Sequence, residues 1–322
     1  MRQGAAAPVT VTGDRASIGA VVIHRLADME DVTWPAAAVF RDLPQQVLHD
    51  AATTYPTAID APAHALKLTF NSYIIETPEY LCLIDAGLGN GKDRPDRPLW
   101  HQRSGDFLGR LQALGYTPEQ FDIVINTHLH ADHVGWNTTK TADGRWVPTF
   151  PNARYVVPAI ELTDCKTRFA SDNFLLHGAY ADSVQPIVEA GLFEPVDLPA
   201  EIAPGLRLEP APGHTLGMAA VRLTTQGCDI LFLADAVHSP IQLATPDLTS
   251  NFCVDPAQSR STRHRLLDAC AGTNTIVALY HFPPPVFGHI VRAGSGYAFE
   301  PINEPPSAAA VVPIMTTGDI GS

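Results

Sequence analysis

The chain has 322 residues, 45% apolar and 17% charged, with 34 acidic against 21 basic side chains and a net charge of −13. That is long enough to bury a substantial core, and no apolar run approaches the roughly eighteen residues a membrane-spanning helix needs, so a membrane is not an expected partner. The acidic balance, with no dense Lys/Arg tract, sets nucleic acid aside as well, because phosphate backbones are bound through a basic footprint. The five cysteines (Cys82, Cys165, Cys228, Cys253, Cys270) are scattered and form no C-x-x-C, which points to buried free thiols rather than disulfides or a thiolate metal cluster. Met1 to Pro8 holds no apolar signal-type core, so a cytoplasmic location is expected.

Residues 1 to 65 mix short β-rich pieces such as Ile18 to Ile23 with Pro/Ala-rich loops and carry no chemical motif. Leu66 to Glu76 and Tyr80 to Ile84 are rich in β-branched and aromatic residues and predict a hairpin. The second run ends in Asp85-Ala86-Gly87, where Asp85 serves either to support a metal ligand or to cap the turn. The loop over 90 to 103, with Trp100, is placed to border a site. The apolar spacing of Phe107, Leu108, Leu111 and Leu114 predicts a helix from Ser104 to Gly115, and Phe121 to Ile125 a strand after it.

Further strands are predicted at Arg154 to Val157, Leu206 to Glu209, Ala219 to Leu223, Ile230 to Leu233 and Thr275 to Leu279. Helices are predicted at Ser183 to Ala190 and after Asp255-Pro256, where Asp is a good N-cap and Pro a good first residue. Arg260, Arg263 and Arg265 read as its solvated face. Thr163 to Tyr180 reads as an irregular insert, and the Pro/Ala/Gly-rich segment 301–322 as a tail.

The strand Phe121 to Ile125 runs into Asn126-Thr127-His128-Leu129-His130-Ala131-Asp132-His133, which crowds three histidines and an aspartate into six positions. Burying these groups unpaired would be costly, and a divalent cation satisfies them together. Imidazole with carboxylate suits zinc best, while iron, manganese and cobalt accept the same donors. Three more such residues stand at strand ends or in glycine-flanked loops: His214 in Gly213-His214-Thr215, Asp235 after Ile230 to Leu233, and His281 after Thr275 to Leu279. Taken singly, each has an ordinary alternative as a core hydrogen-bonding residue or a turn cap.

In order and context, the chain resembles the metallo-β-lactamase superfamily, whose H-x-H-x-D-H motif matches His128, His130, Asp132 and His133, followed by His214, Asp235 and His281. The likeness runs from about Leu66 to Phe299. It implies an α/β fold, an αββα sandwich of two mixed β-sheets flanked by helices, in one domain over residues 1–300. It also implies two metal ions, zinc by preference. One would be held by His128, His130 and His214 and the other by Asp132, His133 and His281, with Asp235 shared between them.

Within the superfamily the chain looks most like the branch of N-acyl homoserine lactonases and methyl parathion hydrolases. His238, three residues after Asp235, and the segment His281 to Tyr297 carry that likeness. The implied activity is hydrolysis of lactones or related carboxylic esters of small-molecule size by metal-bound hydroxide. Asp132 would shuttle a proton to the leaving alkoxide and His238 would hold a substrate oxygen or support a ligand. Organophosphate triesters, aryl halides and β-lactams are the alternative substrates on the same metals, and a homodimer is the implied assembly. Trp136, Phe174, Phe252 and Phe282 are candidate walls of an apolar pocket.

Overall fold

The computed structural model describes residues 7–41, 43–172 and 174–302. The predicted tail lies outside the described residues apart from its first two positions, Pro301 and Ile302. In chain order the strands are β1 (Val9–Thr12), β2 (Arg15–Ile18), β3 (Val21–Pro35), β4 (Ile59–Asp60), β5 (Ala65–Glu76), β6 (Leu81–Ile84), β7 (Ile123–Ile125), β8 (Thr138–Lys140) and β9 (Trp146–Pro148). There follow β10 (Arg154–Pro158), β11 (Phe193–Val196), β12 (Ala200–Ala203), β13 (Leu206–Pro210), β14 (Ala219–Thr225), β15 (Cys228–Phe232), β16 (Ile276–Ala278), β17 (Phe287–Ala293) and β18 (Gly296–Pro301).

Two large mixed sheets result. The first runs β1-β2-β3-β5-β6-β7-β10-β11, with β4 paired to β5, and the second runs β12 through β18 in sequence order. In the first sheet β6, β7, β10 and β11 are parallel neighbours, and in the second β15 and β16 are.

Alternation along the strands builds the layers, since successive side chains point to opposite faces. Ile230 and Phe232 of β15, Ile276 and Ala278 of β16, and Tyr73 and Ile75 of β5 meet in the core between the sheets. Their neighbours Leu231 and Val277 instead pack against Leu266, Leu267 and Cys270 of the helix Pro256–Cys270, on the outer face of the second sheet. Ile74, Leu83 and Val124 pack against Phe107 and Leu111 of the helix Phe107–Ala113, outside the first. The αββα sandwich is thus present, and strands buried on both faces read in sequence as unbroken apolar runs.

Several local expectations need correction. The β-rich piece Ile18 to Ile23 is the tip of a β2–β3 hairpin, turned at Gly19 with φ +57°. The helix expected from Ser104 begins only at Phe107, and the insert expected to be irregular opens inside the helix Ala159–Phe169. Arg263 is fully buried rather than solvated; it donates to the carbonyls of Ala236 (2.7 Å), Pro246 (2.7 Å) and Leu248 (2.9 Å). No described helix is long and apolar enough to cross a membrane, and all five cysteines are free.

Candidate metal centre

The C-terminal ends of β6, β7, β15 and β16 and the β13–β14 loop lie along one edge of the sandwich. There the polar residues of the sequence motifs converge. Backbone bonds fix the meeting. Ala219 N at the start of β14 donates to Thr127 O (2.9 Å), and Asp85 N after β6 donates to Ile125 O (2.8 Å). Gly135 N donates to Gly87 O (2.7 Å), drawing the histidine loop against the Asp85 loop. A Cβ on Gly135 would stand 1.9 Å from the carbonyl carbon of Leu88, so only glycine fits there.

Ligand-type atoms fall into two groups, His128/His130/His214 with Asp235, and Asp132/His133/His281, each within 4.8 Å of one another. In the first, Nδ1 of His130 stands 3.1 Å from Nε2 of His128 and 2.9 Å from Nε2 of His214. In the second, Nε2 of His133 and of His281 lie 3.6 and 3.7 Å from Asp132 Oδ2. Asp235 touches both groups: Oδ2 is 3.2 Å from His214 Nε2 and 3.2 Å from His281 Nε2, while Oδ1 is 3.3 Å from His133 Nε2.

The far side of each ring decides which nitrogen is free. Asp85 Oδ2 accepts from Nδ1 of His133 at 2.8 Å, and Thr127 N holds the other oxygen of Asp85 at 2.8 Å. Asp85 therefore both supports a histidine and ties the loop, although its φ of +56° is unusual for a non-glycine residue. Thr69 O accepts from Nδ1 of His281 at 3.2 Å, and Nδ1 of His128 faces Thr127 Oγ1 at 3.1 Å. In each case the lone pair of Nε2 is left pointing into the cluster.

Tyr280 joins the second group from beneath. Its hydroxyl donates to Asp132 O at 2.5 Å and its ring stacks on His133 with centroids 4.0 Å apart. Asn71 Nδ2 holds the Tyr280 carbonyl at 2.6 Å and that of Phe282 at 3.0 Å, which fixes the loop carrying His281. Glu161 accepts from Gly217 N at 2.7 Å, steadying the loop of His214.

The arrangement fits divalent cations. Imidazole nitrogens about 3 Å apart need a shared proton or a cation between them, and the spacing suits a cation, since a tetrahedron with metal–nitrogen bonds of about 2.0 Å has edges of roughly 3.3 Å. His133 Nε2 and Asp235 Oδ1 are buried without a hydrogen-bond partner, a cost that a metal ion removes. Burial, with His133 and His130 adding to it, holds the His128 imidazole well below its ordinary value, so it is a neutral ligand-ready base. Burial would push Asp235 up, but His281, His133 and His214 outweigh it and keep the carboxyl well below the usual range. His133 is driven down by burial and, more strongly, up by Asp235, Asp85 and Asp132, the environment that attracts positive charge.

All seven motif residues thus meet. His238 joins them with Nε2 3.4 Å from Asp235 Oδ2, while its backbone N–H is tied to Gln242 Oε1 at 2.7 Å. A cavity of about 370 Å³ opens above the cluster. Phe174 and Phe252 line it as expected, but Trp136 is stacked on Phe107 in the core behind the first sheet and Phe282 is packed under the second. The walls that sequence reasoning missed are Trp34, Leu68 and Phe70, from the long β3 and β5 strands. Trp100 and the insert residues Arg168, Asp172, Leu175, Leu176 and His177 complete the lining together with Arg97.

The sequence profile of the metallo-beta-lactamase superfamily matches residues 70–281. An N-acyl homoserine lactonase of Bacillus thuringiensis is 25% identical over 234 residues, covering 68% of this chain and 84% of the relative. One from a Bacillus species is 26% identical over 190 residues, covering 55% and 68%. Among solved structures, the hydrolase AbOPH of the beta lactamase superfamily has a TM-score of 0.75 at 26% identity, over 90% of this chain and 97% of that one. AidC, a dizinc quorum-quenching lactonase solved with a homoserine product, has a TM-score of 0.73 at 20% identity over 90% and 97%, a likeness of fold. With the profile spanning well over half its length and the motif residues gathered at one edge, the chain belongs to the metallo-beta-lactamase superfamily, as a metal-dependent hydrolase.

Proposed function

We propose that the chain is a dinuclear zinc hydrolase that opens lactones or cleaves related carboxylic esters. The observation that carries this is the pair of ligand groups sharing Asp235, beneath a cavity walled mainly by aromatic and aliphatic side chains. His128, His130 and His214 would hold one ion, Asp132, His133 and His281 the other, and Asp235 both. Bound zinc supplies Lewis acidity and lowers the pKa of coordinated water to about 7. The similarity to N-acyl homoserine lactonases supports a lactone carbonyl as the reacting group.

The chain's own residues do the rest. Trp34, Phe70, Trp100 and Phe252 bind the apolar body of the substrate and exclude water from it. Asp132 lines the cavity and is the carboxylate placed to carry a proton to the leaving alkoxide. His238 lines the cavity and turns Nε2 toward Asp235, which suits it either to orient Asp235 or to hold a substrate oxygen. The homodimer implied by the resemblance belongs to the same reading and is checked by sedimentation.

The test combines metal analysis with a panel of lactones and aryl esters. Protein carrying two zinc ions is expected to open lactones, and Asp235→Ala to lose both metal and turnover. Full activity in a variant that has lost its metal, or two bound metals with no lactone or ester cleaved, overturns the proposal.

A further inference from the structure

Arg97 stands out in the cavity lining. In a chain with 34 acidic side chains against 21 basic ones, it lines the cavity and makes no ion pair among the described residues. The other cation of the lining, Arg168, is paired with Asp164 at 3.2 Å. Arg97 is also held in place. Nη2 lies 3.3 Å from Nε2 of His177, whose Nδ1 is paired with Asp96, so the ring accepts from the guanidinium on one side and donates to the carboxylate on the other. The guanidinium carbon lies 5.7 Å from the Trp100 ring, and Arg97 Nε is buried with no hydrogen-bond partner.

The backbone that presents His177 is costly. Leu176 and His177 have φ of +57° and +59°, two consecutive left-handed residues with no glycine at either position. Such outliers persist where the surroundings enforce them, and they gather at ligand sites. From Arg97 a run of rings leads to the metal cluster: Trp100 to Phe70 with centroids 5.9 Å apart, then Phe70 to His281 at 5.2 Å. A ligand lying along this run meets the reactive edge at one end, aromatic faces in the middle and a pre-oriented guanidinium at the other. Asp172, at the exposed side of the same cavity, is the opposing charge, and one of its oxygens is already occupied by Phe174 N at 3.0 Å.

We infer that Arg97 is a specificity-determining residue and that the preferred substrates are esters or lactones with an apolar body ending in a carboxylate. The fork of a guanidinium matches a carboxylate geometrically, and a charge-assisted bond in a partly dehydrated cavity is stronger than one in water. This rests on the hydrolase reading above and narrows its substrate class.

The experiment uses the zinc-loaded protein and two series of 4-nitrophenyl esters of matched length. One series consists of mono-esters of linear dicarboxylic acids, the other of linear fatty acids. At the best length the carboxylate-tipped ester is expected to have a KM about tenfold lower than its methyl-ended partner, the size of a charge-assisted hydrogen bond. Arg97→Gln is expected to abolish that ratio, and Arg168→Gln to preserve it. The ratio is taken on one preparation, so partial metal loss or misfolding cancels. A ratio near one in the wild type, a ratio that survives Arg97→Gln, or one that falls only with Arg168→Gln overturns the inference. A binding arm separates it from the parent proposal: suberic acid monoamide, which is not turned over as an ester, is titrated against tryptophan fluorescence. Binding that Arg97→Gln weakens about tenfold upholds the subsite even if no ester is cleaved, whereas cleavage without such weakening leaves the hydrolase and removes the subsite.

Discussion

Tyr280→Phe removes one oxygen and asks whether the two ligand groups are held independently. The hydroxyl donates to Asp132 O at 2.5 Å, whereas the ring that stacks on His133 at 4.0 Å is kept. Tyr280 is 2% exposed, so the freed carbonyl gains little water in exchange. An orphaned buried acceptor costs about 1–3 kcal/mol, and a change beside a metal ligand typically lowers affinity about 10- to 100-fold, two figures that agree. The loss should fall on Asp132, His133 and His281 and spare the first group, whose loops are secured by Thr127 and Glu161. The assay is zinc content against chelator concentration. The wild type should release its ions at two chelator levels, and the variant should shift only one of them, by about one to two decades. Equal shifts of both ions, or none, would refute the reasoning.

Two further substitutions probe the scaffold. Arg263→Met strands three carbonyls, those of Ala236, Pro246 and Leu248, and should destabilise by about 3 kcal/mol or more in denaturant titration; a loss under about 1 kcal/mol would mean that water replaces the guanidinium. Lys92 is fully buried over the Trp146 ring, and burial lowers its ammonium to about 7 against the opposing pull of Asp182. Above pH 7 the unfolded chain therefore holds a proton that the folded chain has given up, until the unfolded lysine itself titrates near 10.5. Wild-type stability should rise with pH across that window relative to Lys92→Met, by about 1 kcal/mol per pH unit, and the difference should be flat below it. Parallel curves for the two proteins from pH 7 to 9 would show that Lys92 stays protonated.

The metal cluster was legible because of how the sandwich is made. β15 and β16 are buried on both faces, so they read as apolar runs, and Asp235 and His281 come where those runs stop. The cavity was legible only in part, through Phe174, Phe252 and the loop of Trp100, and the rest escaped for three separate reasons. Trp34 sits near the end of β3 beyond two register shifts against β5, which destroy the alternation that tells inside from outside. Trp136 follows the ligands closely in sequence, but the turn carrying it points the ring away, toward Phe107. Leu176 and His177 adopt left-handed backbone that their residue types do not announce. Arg263 misled through its neighbours, since Arg260 and Arg265 on the same helix are exposed and it is not.

The contact of Gly135 with the Leu88 carbonyl separates two kinds of substitution around the candidate metal centre. At this point behind the candidate metal centre the two loops meet main chain to main chain, so a side chain at 135 would push the histidine loop off the Asp85 loop. In front, Trp34 near the end of β3 and Arg168, Asp172, Leu175 and His177 line the cavity, so exchanging their side chains reshapes what it accepts. A change in front is therefore expected to alter which molecule fits, and a change at 135 to disturb the loops that carry the ligand residues.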